Sequence, residues 1–182
     1  MFAFTYKNGD VIELKGIKHA AFASQETHCY EASVYYNGKK IGVVSNEGHG
    51  GCDDFSPCGN LEDGSYHKNN EIFKDACWHM KDEGVWVSEW DGSENPLTID
   101  VWCCDQVNKF LSHRDFKKYM KSKVVFIDPT SDKPNAVRYF SFKGVRKITQ
   151  QHIDHIVAKY KDYKILNVLP EAEAWKLWQA GA

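Results

Sequence analysis

The sequence lacks the features of a membrane-spanning or exported protein. No apolar run in its 182 residues approaches the roughly 18 residues that are needed to cross a bilayer. The opening segment, MFAFTYKNGD, reaches a polar turn after six residues, so no signal peptide is expected. Without a secretion signal the six cysteines should be reduced thiols, as the cytosol keeps them. These absences predict a cytoplasmic protein with no membrane partner.

Common catalytic and nucleotide-binding motifs are also missing. The chain has no G-x-S-x-G nucleophile motif, no G-x-x-x-x-G-K-[ST] phosphate loop and no signature of a cysteine protease family. The glycine-rich segment GHGG is followed by Asp53 and Asp54, whose carboxylates would repel a phosphate. Its glycines should instead form a sharp turn with positive φ. The sequence favours a protein without enzymatic activity, and a Cys/His or metal-dependent enzyme at the GHGGCDD loop is one alternative.

The composition is that of a globular protein with little net charge. Hydrophobic residues make up 42% and aromatic residues 14%, which excludes the composition of a disordered chain. The length suits one domain of ordinary size. The formal net charge of −2 excludes a uniformly basic nucleic-acid-binding protein.

The pattern of apolar residues and turns predicts a single α+β domain over residues 1–182. An antiparallel β-meander of four strands should occupy residues 1–46, because Asn37-Gly38 separates two strand-like runs. Residues 47–121 should hold a long loop and helices, with the loop over 46–68. Residues 122–182 should hold a second β-hairpin and the C-terminal helices.

The boundaries of individual helices can also be predicted from caps and spacing. One helix should begin near Asn69 or Asn70 and end at Gly84. A second should cover 98–121 with a break near Ser112. Thr149 should cap a third, and Pro170 should precede a fourth.

Five side chains could bind a metal ion through soft ligands. His49, Cys52, Cys58, Cys77 and His79 supply thiolates and imidazoles, which suit zinc. No pair has the C-x2-C spacing of common zinc modules, so the cysteines can equally be small core residues. No cofactor is therefore expected, and structural zinc is the alternative.

Charge is unevenly distributed along the chain. Residues 47–105 carry 14 acidic side chains and a net charge of −11, whereas residues 109–147 carry 11 basic side chains and a net charge of +8. An acidic segment rich in Trp and Tyr can imitate nucleic acid and bind a basic groove of a partner protein. The predicted partner-binding residues are Asp53, Asp54, Glu62, Asp63, Asp82, Glu83, Glu89 and Asp91.

The basic segment supports an alternative function, which is binding to the phosphates of a nucleic acid. The predicted nucleic-acid-binding residues are Arg114, Lys117, Lys118, Lys121, Arg138, Arg146 and Lys147. A third interpretation gives neither segment a binding role, because the two can be ordinary solvated faces that neutralise each other.

The segment from Ser24 to Phe55 resembles a family of small proteins from bacteriophages and mobile elements. The shared pattern is E-T-x-C-x-x-A-x-x-Y-x-x-G-K-x-x-G-x-x-S-N-x-G-x-G-G. The chain matches it at Glu26, Thr27, Cys29, Ala32, Tyr35, Gly38, Lys39, Gly42, Ser45, Asn46, Gly48, Gly50 and Gly51. The resemblance extends to later parts such as FKKYMKSKVVF and LPEAEAWKLW, and it brings no catalytic residue with it.

The resemblance implies a role in the conflict between phages and their hosts. Phage accessory proteins of this size often antagonise host defence, and a type II anti-CRISPR protein is one example. The expected function is inhibition of a host nucleic-acid-directed defence nuclease, such as a CRISPR effector, by protein binding in the host cytoplasm.

Overall fold

The computed structural model describes residues 3–88, 90–133 and 135–181 and shows an α+β fold, as the sequence predicts. The strands are β1 (Ala3–Thr5), β2 (Val11–His19), β3 (Cys29–Tyr36), β4 (Lys39–Glu47), β5 (Asp54–Pro57), β6 (Val85–Val87), β7 (Glu94–Pro96), β8 (Val124–Ile127), β9 (Val137–Phe140) and β10 (Lys164–Ile165). The α-helices are α1 (Ser65–Glu83), α2 (Ile99–Ser122), α3 (Gln150–Lys159) and α4 (Glu171–Gly181). Short 3-10 helices cover Ala21–Ala23 and Leu166–Val168.

The N-terminal sheet contains the predicted meander and one further strand. Its order is β1-β2-β3-β4-β5, with every neighbouring pair antiparallel. The added strand β5 lies inside 46–68, so the prediction of a continuous loop there is wrong. Its short sequence, DFSP, has too few residues for an alternating pattern to be visible.

The hairpin between β3 and β4 confirms the Asn-Gly signal. Tyr36 pairs with Lys39, which leaves Asn37 and Gly38 as a two-residue turn. Both turn residues have positive φ, at 49° and 77°. That geometry is required when a tight turn matches the right-handed twist of its strands.

Helix α1 packs on the sheet through a short apolar stripe. Ala76 and Met80 are buried, and the ring of Phe73 stacks on that of Phe55 in β5 with centroids 3.7 Å apart. The helix ends at Gly84, as predicted, where the Gly84 N–H donates to the Met80 carbonyl.

The start of α1 differs from the prediction by one turn. The helix begins at Ser65, so Asn69 is an interior residue and does not cap the helix. Its buried side chain donates a 2.7 Å hydrogen bond to the Cys58 carbonyl. An asparagine inside a helix is tolerated here because it satisfies a loop carbonyl that has no partner in the sheet.

Strands β6 and β7 pair with each other as an antiparallel hairpin. Helix α2 runs through Ser112 without the expected break. Thr149 caps α3 in a capping box with His152, and Pro170 immediately precedes α4. The caps therefore confirm two helix starts that local sequence signals predict.

In the C-terminal part, the three-stranded sheet β10-β8-β9 is packed on both faces. Val124 and Phe126 of β8 pack with Ile153 and Ile156 of α3. Val125 points the other way and shares a second cluster with residues of α2 and α4. This alternation is the two-residue period of a strand that is buried on both sides.

The chain divides into two compact units, with the boundary between Phe110 and Leu111. The sequence predicts one domain and places no boundary there. The N-terminal unit holds 18 acidic and 9 basic residues, and the C-terminal unit holds 7 acidic and 14 basic residues. The charge asymmetry of the sequence is therefore also an asymmetry between the units. Among the described residues, no helix is long and apolar enough to cross a membrane.

Candidate functional site

A cavity of about 490 Å³ lies in the N-terminal unit. Its walls come from the loop before β3, from β3 and β4, from the glycine-rich loop after β4 and from the first turns of α2. The lining residues are Ser24, Gln25, Glu26, Thr27, His28, Tyr30, Asn46, Gly51, Asp53, Asp100, Val101 and Cys104.

The glycine-rich loop is anchored through the carbonyl of Gly48. This oxygen accepts hydrogen bonds from the N–H groups of Gln25, Glu26 and Thr27, at 2.9, 3.0 and 3.4 Å. Gly48 has a φ of 87°, and a Cβ there would lie 2.3 Å from the Ala23 carbonyl oxygen. Only glycine combines that conformation with such close packing, so the predicted turn is confirmed.

Asn46 connects this loop to the cavity wall. Its Oδ1 accepts hydrogen bonds from the Thr27 hydroxyl at 2.7 Å and from the Gly48 N–H at 2.9 Å. Its Nδ2 donates to the Gly51 carbonyl at 3.3 Å and to Asp53 Oδ1 at 3.0 Å. The buried amide thus has partners for both of its polar atoms, as a buried polar group requires. Its hydrogen bonds join Thr27, which lies before β3, to the glycine-rich loop after β4.

Two aspartates stand side by side in the cavity wall. The backbone N–H of Asp53 donates a 2.8 Å hydrogen bond to Oδ1 of Asp100, which lies in the first turn of α2. Burial raises the pKa of the Asp53 carboxyl. The nearby Tyr30 hydroxyl, the Asn46 amide and the Cys103 thiol oppose this shift, whereas the charge of Asp100 adds to it. A negative charge at Asp53 is therefore held at an energetic cost.

Tyr30 forms part of the same wall from strand β3, directly opposite Asn46 in the β3–β4 register. Only 5% of its surface is exposed, and its hydroxyl makes no hydrogen bond of standard geometry, although it lies close enough to Asp53 and Cys103 to interact with both. Burial raises the pKa of this hydroxyl, with smaller contributions from Cys103 and Asp53. It is a neutral phenol at physiological pH.

The thiols near the cavity are not activated nucleophiles. Burial raises the pKa of Cys103 well above that of a free thiol, and it raises those of Cys77, to about 11, and Cys104. A reactive cysteine requires the opposite shift, toward the thiolate. The cavity is therefore lined by three carboxylates, those of Glu26, Asp53 and Asp100, and by a thiol of Cys104 that burial disfavours as a thiolate.

The predicted partner-binding acids are mostly at the surface of the N-terminal unit. Asp54, Glu62, Asp63, Asp82 and Asp91 are exposed. Glu83 is half-buried and accepts a hydrogen bond from the Lys7 N–H, and Asp53 lines the cavity. Glu89 lies outside the described residues.

Among the described members of this set, none forms an ion pair with a Lys, Arg or His side chain. Two exposed tryptophans accompany them: Trp78 is 67% exposed and Trp90 is 99% exposed. The acidic segment therefore offers free negative charge together with aromatic surface.

The five predicted metal ligands are not assembled into a site. Across residues 3–88, 90–133 and 135–181, no group of three or more His, Cys, Asp or Glu side chains is placed to hold a metal ion. His49 and Cys52 are exposed and do not line the cavity, and the Cys58 thiol donates to the Lys40 carbonyl. His79 is exposed and Cys77 half-buried on α1.

All seven predicted nucleic-acid-binding residues are exposed on the C-terminal unit. Three of them are engaged in ion pairs: Lys117 with Glu171 at 3.1 Å, Arg138 with Asp128 at 2.8 Å, and Arg114 with Asp115 at 4.0 Å. The remaining four have no ion pair among the described residues: Lys118, Lys121, Arg146 and Lys147.

Sequence reasoning did not identify Tyr30 or Asp100 as site residues, and it used Glu26, Thr27 and Asn46 only as family markers. Asn46 carries the one local signal, since it is a polar residue at an inward position of β4, in line with the buried Gly42 and Val44. Asp100 carries no such signal, because its role depends on a contact with a residue 47 positions earlier.

No protein-family model matches the chain, and no curated protein and no solved structure matches it either. The resemblance to phage and mobile-element proteins stays a prediction. The functional proposal below therefore uses the charges and geometry of this chain.

Proposed function

We propose that this chain is an interaction protein whose N-terminal unit binds a basic groove on a partner protein. The observation that carries the proposal is the coincidence of the charge partition with the division into units. The N-terminal unit has a net charge of −9, and the C-terminal unit has a net charge of +7.

Little of the acidity of the N-terminal unit is neutralised within it. Its 18 carboxylates include only three in ion pairs among the described residues, those of Glu13, Glu31 and Asp105. Free surface carboxylates attract a basic partner over a Debye length and set the orientation of the encounter. Exposed Trp78 and Trp90 add the type of aromatic side chain that anchors protein interfaces.

A basic groove of that kind is the feature with which a nuclease holds nucleic acid. The proposed partner is therefore a host nucleic-acid-directed defence nuclease, such as a CRISPR effector, which the bound protein would inhibit by occupying the groove. The sequence resemblance to phage and mobile-element proteins supports the same partner class.

The test is capture of a nuclease from host lysate by the tagged protein, followed by charge-reversed variants. We expect the triple variant Asp54→Lys, Glu62→Lys, Asp82→Lys to lose the captured nuclease at moderate salt, and we expect duplex DNA to compete with the wild-type protein. Asp63 is left intact because its carboxylate accepts a hydrogen bond from the Ser65 N–H at the start of α1.

The matched control reverses three exposed acids of the C-terminal unit, Asp132, Asp154 and Asp162, which changes the total charge equally. The control should retain the nuclease. Equal loss in both triple variants, or capture that neither variant weakens, would refute binding through the acidic unit.

A second function has an observation of its own. Lys117 and Lys121 lie one turn apart on α2 beside a cavity of about 330 Å³, which Glu171, the ion-pair partner of Lys117, also lines. Lys118, Arg146 and Lys147 of the same unit have no ion pair among the described residues. Such side chains can bind phosphates, in which case log K falls steeply with log salt. A gel shift across salt concentrations tests it: a steep slope that Lys118→Glu, Lys121→Glu reduces supports nucleic-acid binding, and no shift at low salt excludes it.

A further inference from the structure

The hairpin of β6 and β7 forms its backbone hydrogen bonds at every second residue. The Ser88 N–H donates to the Ser93 carbonyl and the Leu97 N–H donates to the Gly84 carbonyl, both at 2.9 Å. Antiparallel strands bond through alternate residues, so Trp86, midway between Gly84 and Ser88, also bonds to β7. The residues on either side of Trp86 therefore turn their backbone N–H and C=O groups toward the opposite edge of β6.

This outer edge of β6 is open. It is formed by Val85 and Val87, and within the described part of the chain no other strand pairs with β6 and no backbone hydrogen bond reaches this edge. The outer edge of β7 is different, because Pro96, directly opposite Val85, has no N–H to offer. Proline and lysine commonly protect exposed edges from pairing, and β6 contains neither. The edge is therefore available to a further strand.

The side chains of β6 are apolar and exposed. Val85 is 61% exposed, Trp86 39% and Val87 54%. All three line a groove of about 500 Å³, whose other residues include Val101 and Trp102 of α2. Adjacent exposed apolar residues on an open strand edge favour pairing with another chain. The open backbone edge and the apolar groove are separate observations that indicate one binding surface.

The charge around this edge decides which kind of segment can occupy it. Residues 82–108 contain seven acidic side chains and no Lys, Arg or His. Among the described members of these seven, only Asp105 forms an ion pair, with Lys109. A second copy of the chain would bring the same negative charges together, and like charges oppose association. A segment that carries positive side chains is complementary to the edge.

We propose that the outer edge of β6 pairs with an extended segment of the partner protein in which basic and apolar residues alternate. The inference rests on the proposed function, since it names the part of the acidic unit that a basic partner contacts. The backbone of the segment would bond to Val85 and Val87, its apolar side chains would cover the groove, and its basic side chains would face the acids around the hairpin. Strand addition of this kind obtains affinity from main-chain hydrogen bonds and specificity from alternate side chains.

The test uses the full-length protein and the peptide acetyl-Arg-Val-Arg-Val-Arg-Val-amide. In the free protein, hydrogen exchange followed by NMR should be fast at the Val85 and Val87 amides and slower at Trp86. The peptide should protect both valine amides and shift the resonances of residues 84–88 saturably. The same peptide with N-methyl groups on its two central residues keeps its charge but loses two backbone donors, and it should bind about tenfold more weakly or worse. A peptide with glutamate in place of each arginine should not bind.

One pair of variants separates backbone pairing from apolar contact. Val87→Pro removes an outward N–H and no hydrogen bond between β6 and β7, so it should weaken peptide binding about tenfold or more. The matched control Val87→Thr keeps the N–H and the branched shape, and it should weaken binding by a clearly smaller factor. Slow exchange of the Trp86 amide in Val87→Pro shows that the hairpin is still formed, and the N-methylated peptide tests the same hydrogen bonds without any variant.

Equal binding of the N-methylated and unmodified peptides, or equal loss in Val87→Pro and Val87→Thr, would overturn strand addition. Protection of the valine amides that rises with the concentration of the free protein would show that the edge pairs with a second copy instead. The inference and the proposed function can fail separately. If the triple variant of Asp54, Glu62 and Asp82 loses the nuclease while the peptide leaves the valine amides unprotected, only this inference fails. Protection by the peptide with no captured basic partner would instead refute the proposed function.

Discussion

The backbone N–H of Asp53 donates a 2.8 Å hydrogen bond to the carboxylate of Asp100, 47 positions later in the chain. This bond fastens the loop after β4 to the first turn of α2. It also places two carboxylates in one wall, where burial and mutual repulsion penalise the negative charge of Asp53.

The first prediction concerns the pH dependence of stability. Because the pKa of Asp53 is raised in the fold, the folded protein holds that proton more tightly than the unfolded chain does. The penalty is absent below the ordinary aspartate pKa of about 4 and grows as pH rises through the raised value. Asp53→Asn should therefore raise Tm at pH 7 and leave it unchanged at pH 3, as measured by scanning calorimetry. The gain should be below about 1 kcal/mol, since the carboxyl is partly exposed and screened.

Asp91→Asn is the control, because the pKa of Asp91 is shifted in the opposite direction from that of Asp53. Hydrogen bonds from Ser88 and Ser93 lower the pKa of Asp91, so its charged form is favoured in the fold. That contribution is present above the ordinary aspartate pKa and is lost as pH falls through the lowered value. The variant should have a slightly lower Tm at pH 7, and a raised Tm in both variants would contradict the assignment to burial at Asp53.

The second prediction compares two glycines of the same loop. Gly48 and Gly51 both have positive φ, but a Cβ at Gly48 would meet the Ala23 carbonyl oxygen at 2.3 Å, whereas a Cβ at Gly51 would meet nothing within 4 Å. Gly51→Ala should cost about 1 kcal/mol for the backbone conformation alone. Gly48→Ala should cost at least about 2 kcal/mol more, because the loop must also move. Urea unfolding measures both, and equal losses would show that the close approach does not constrain the loop.

The third prediction concerns Asn167 in the C-terminal unit. Its Nδ2 donates to the carbonyls of Met120 and Lys123, both at 3.1 Å, and its Oδ1 accepts from the Val125 N–H at 2.6 Å. Asn167→Ala should destabilise the unit by about 2 to 4 kcal/mol, because three backbone groups lose their partner. Asn167→Asp keeps the acceptor but turns a charge toward two carbonyls, so it should be no more stable than the alanine variant. Tryptophan fluorescence during unfolding detects the change, and Gln151→Ala, at an exposed position of α3, is the neutral control.

The fourth prediction ranks three cysteines by their reactivity. Cys52 and Cys104 are exposed and Cys103 is buried. Burial also raises the pKa of Cys104, which lowers its thiolate fraction. Iodoacetamide at pH 8 should therefore label Cys52 first, then Cys104, and Cys103 only after unfolding. Tandem mass spectrometry separates the adjacent pair, and early labelling of Cys103 would contradict its burial in the folded protein.

Local patterns account for most of the secondary structure. The Asn37-Gly38 hairpin, the end of α1 at Gly84 and the Thr149 cap each depend on residues a few positions apart, so the sequence predicts them. Strand β5 is not predicted, because its four residues are too few to show the alternation of apolar and polar side chains that marks a strand. The start of α1 was misplaced because Asn69 resembles a cap while its actual partner is the distant Cys58 carbonyl.

The candidate site was only partly predictable. The glycine-rich loop can be identified from its composition. Its positive φ angles are also predictable, because glycine adopts them without steric cost. The cavity depends on Tyr30, Asn46, Asp53 and Asp100, which approach one another through strand pairing and one long-range hydrogen bond. Neither the periodicity of the sequence nor the spacing of its residues predicts these contacts, because they form only when distant segments pack together.

The sequence by itself determined the class of fold and the unequal placement of charge along the chain, since both depend on composition and short-range pattern. Only the tertiary structure decided that the boundary between two compact units falls after Phe110 and so assigns most acids to one unit and most bases to the other. It also decided that Asp53, unlike the neighbouring Asp54, points into a cavity. Successive residues of an extended chain face opposite ways, and which way faces inward is set by the elements that pack against them.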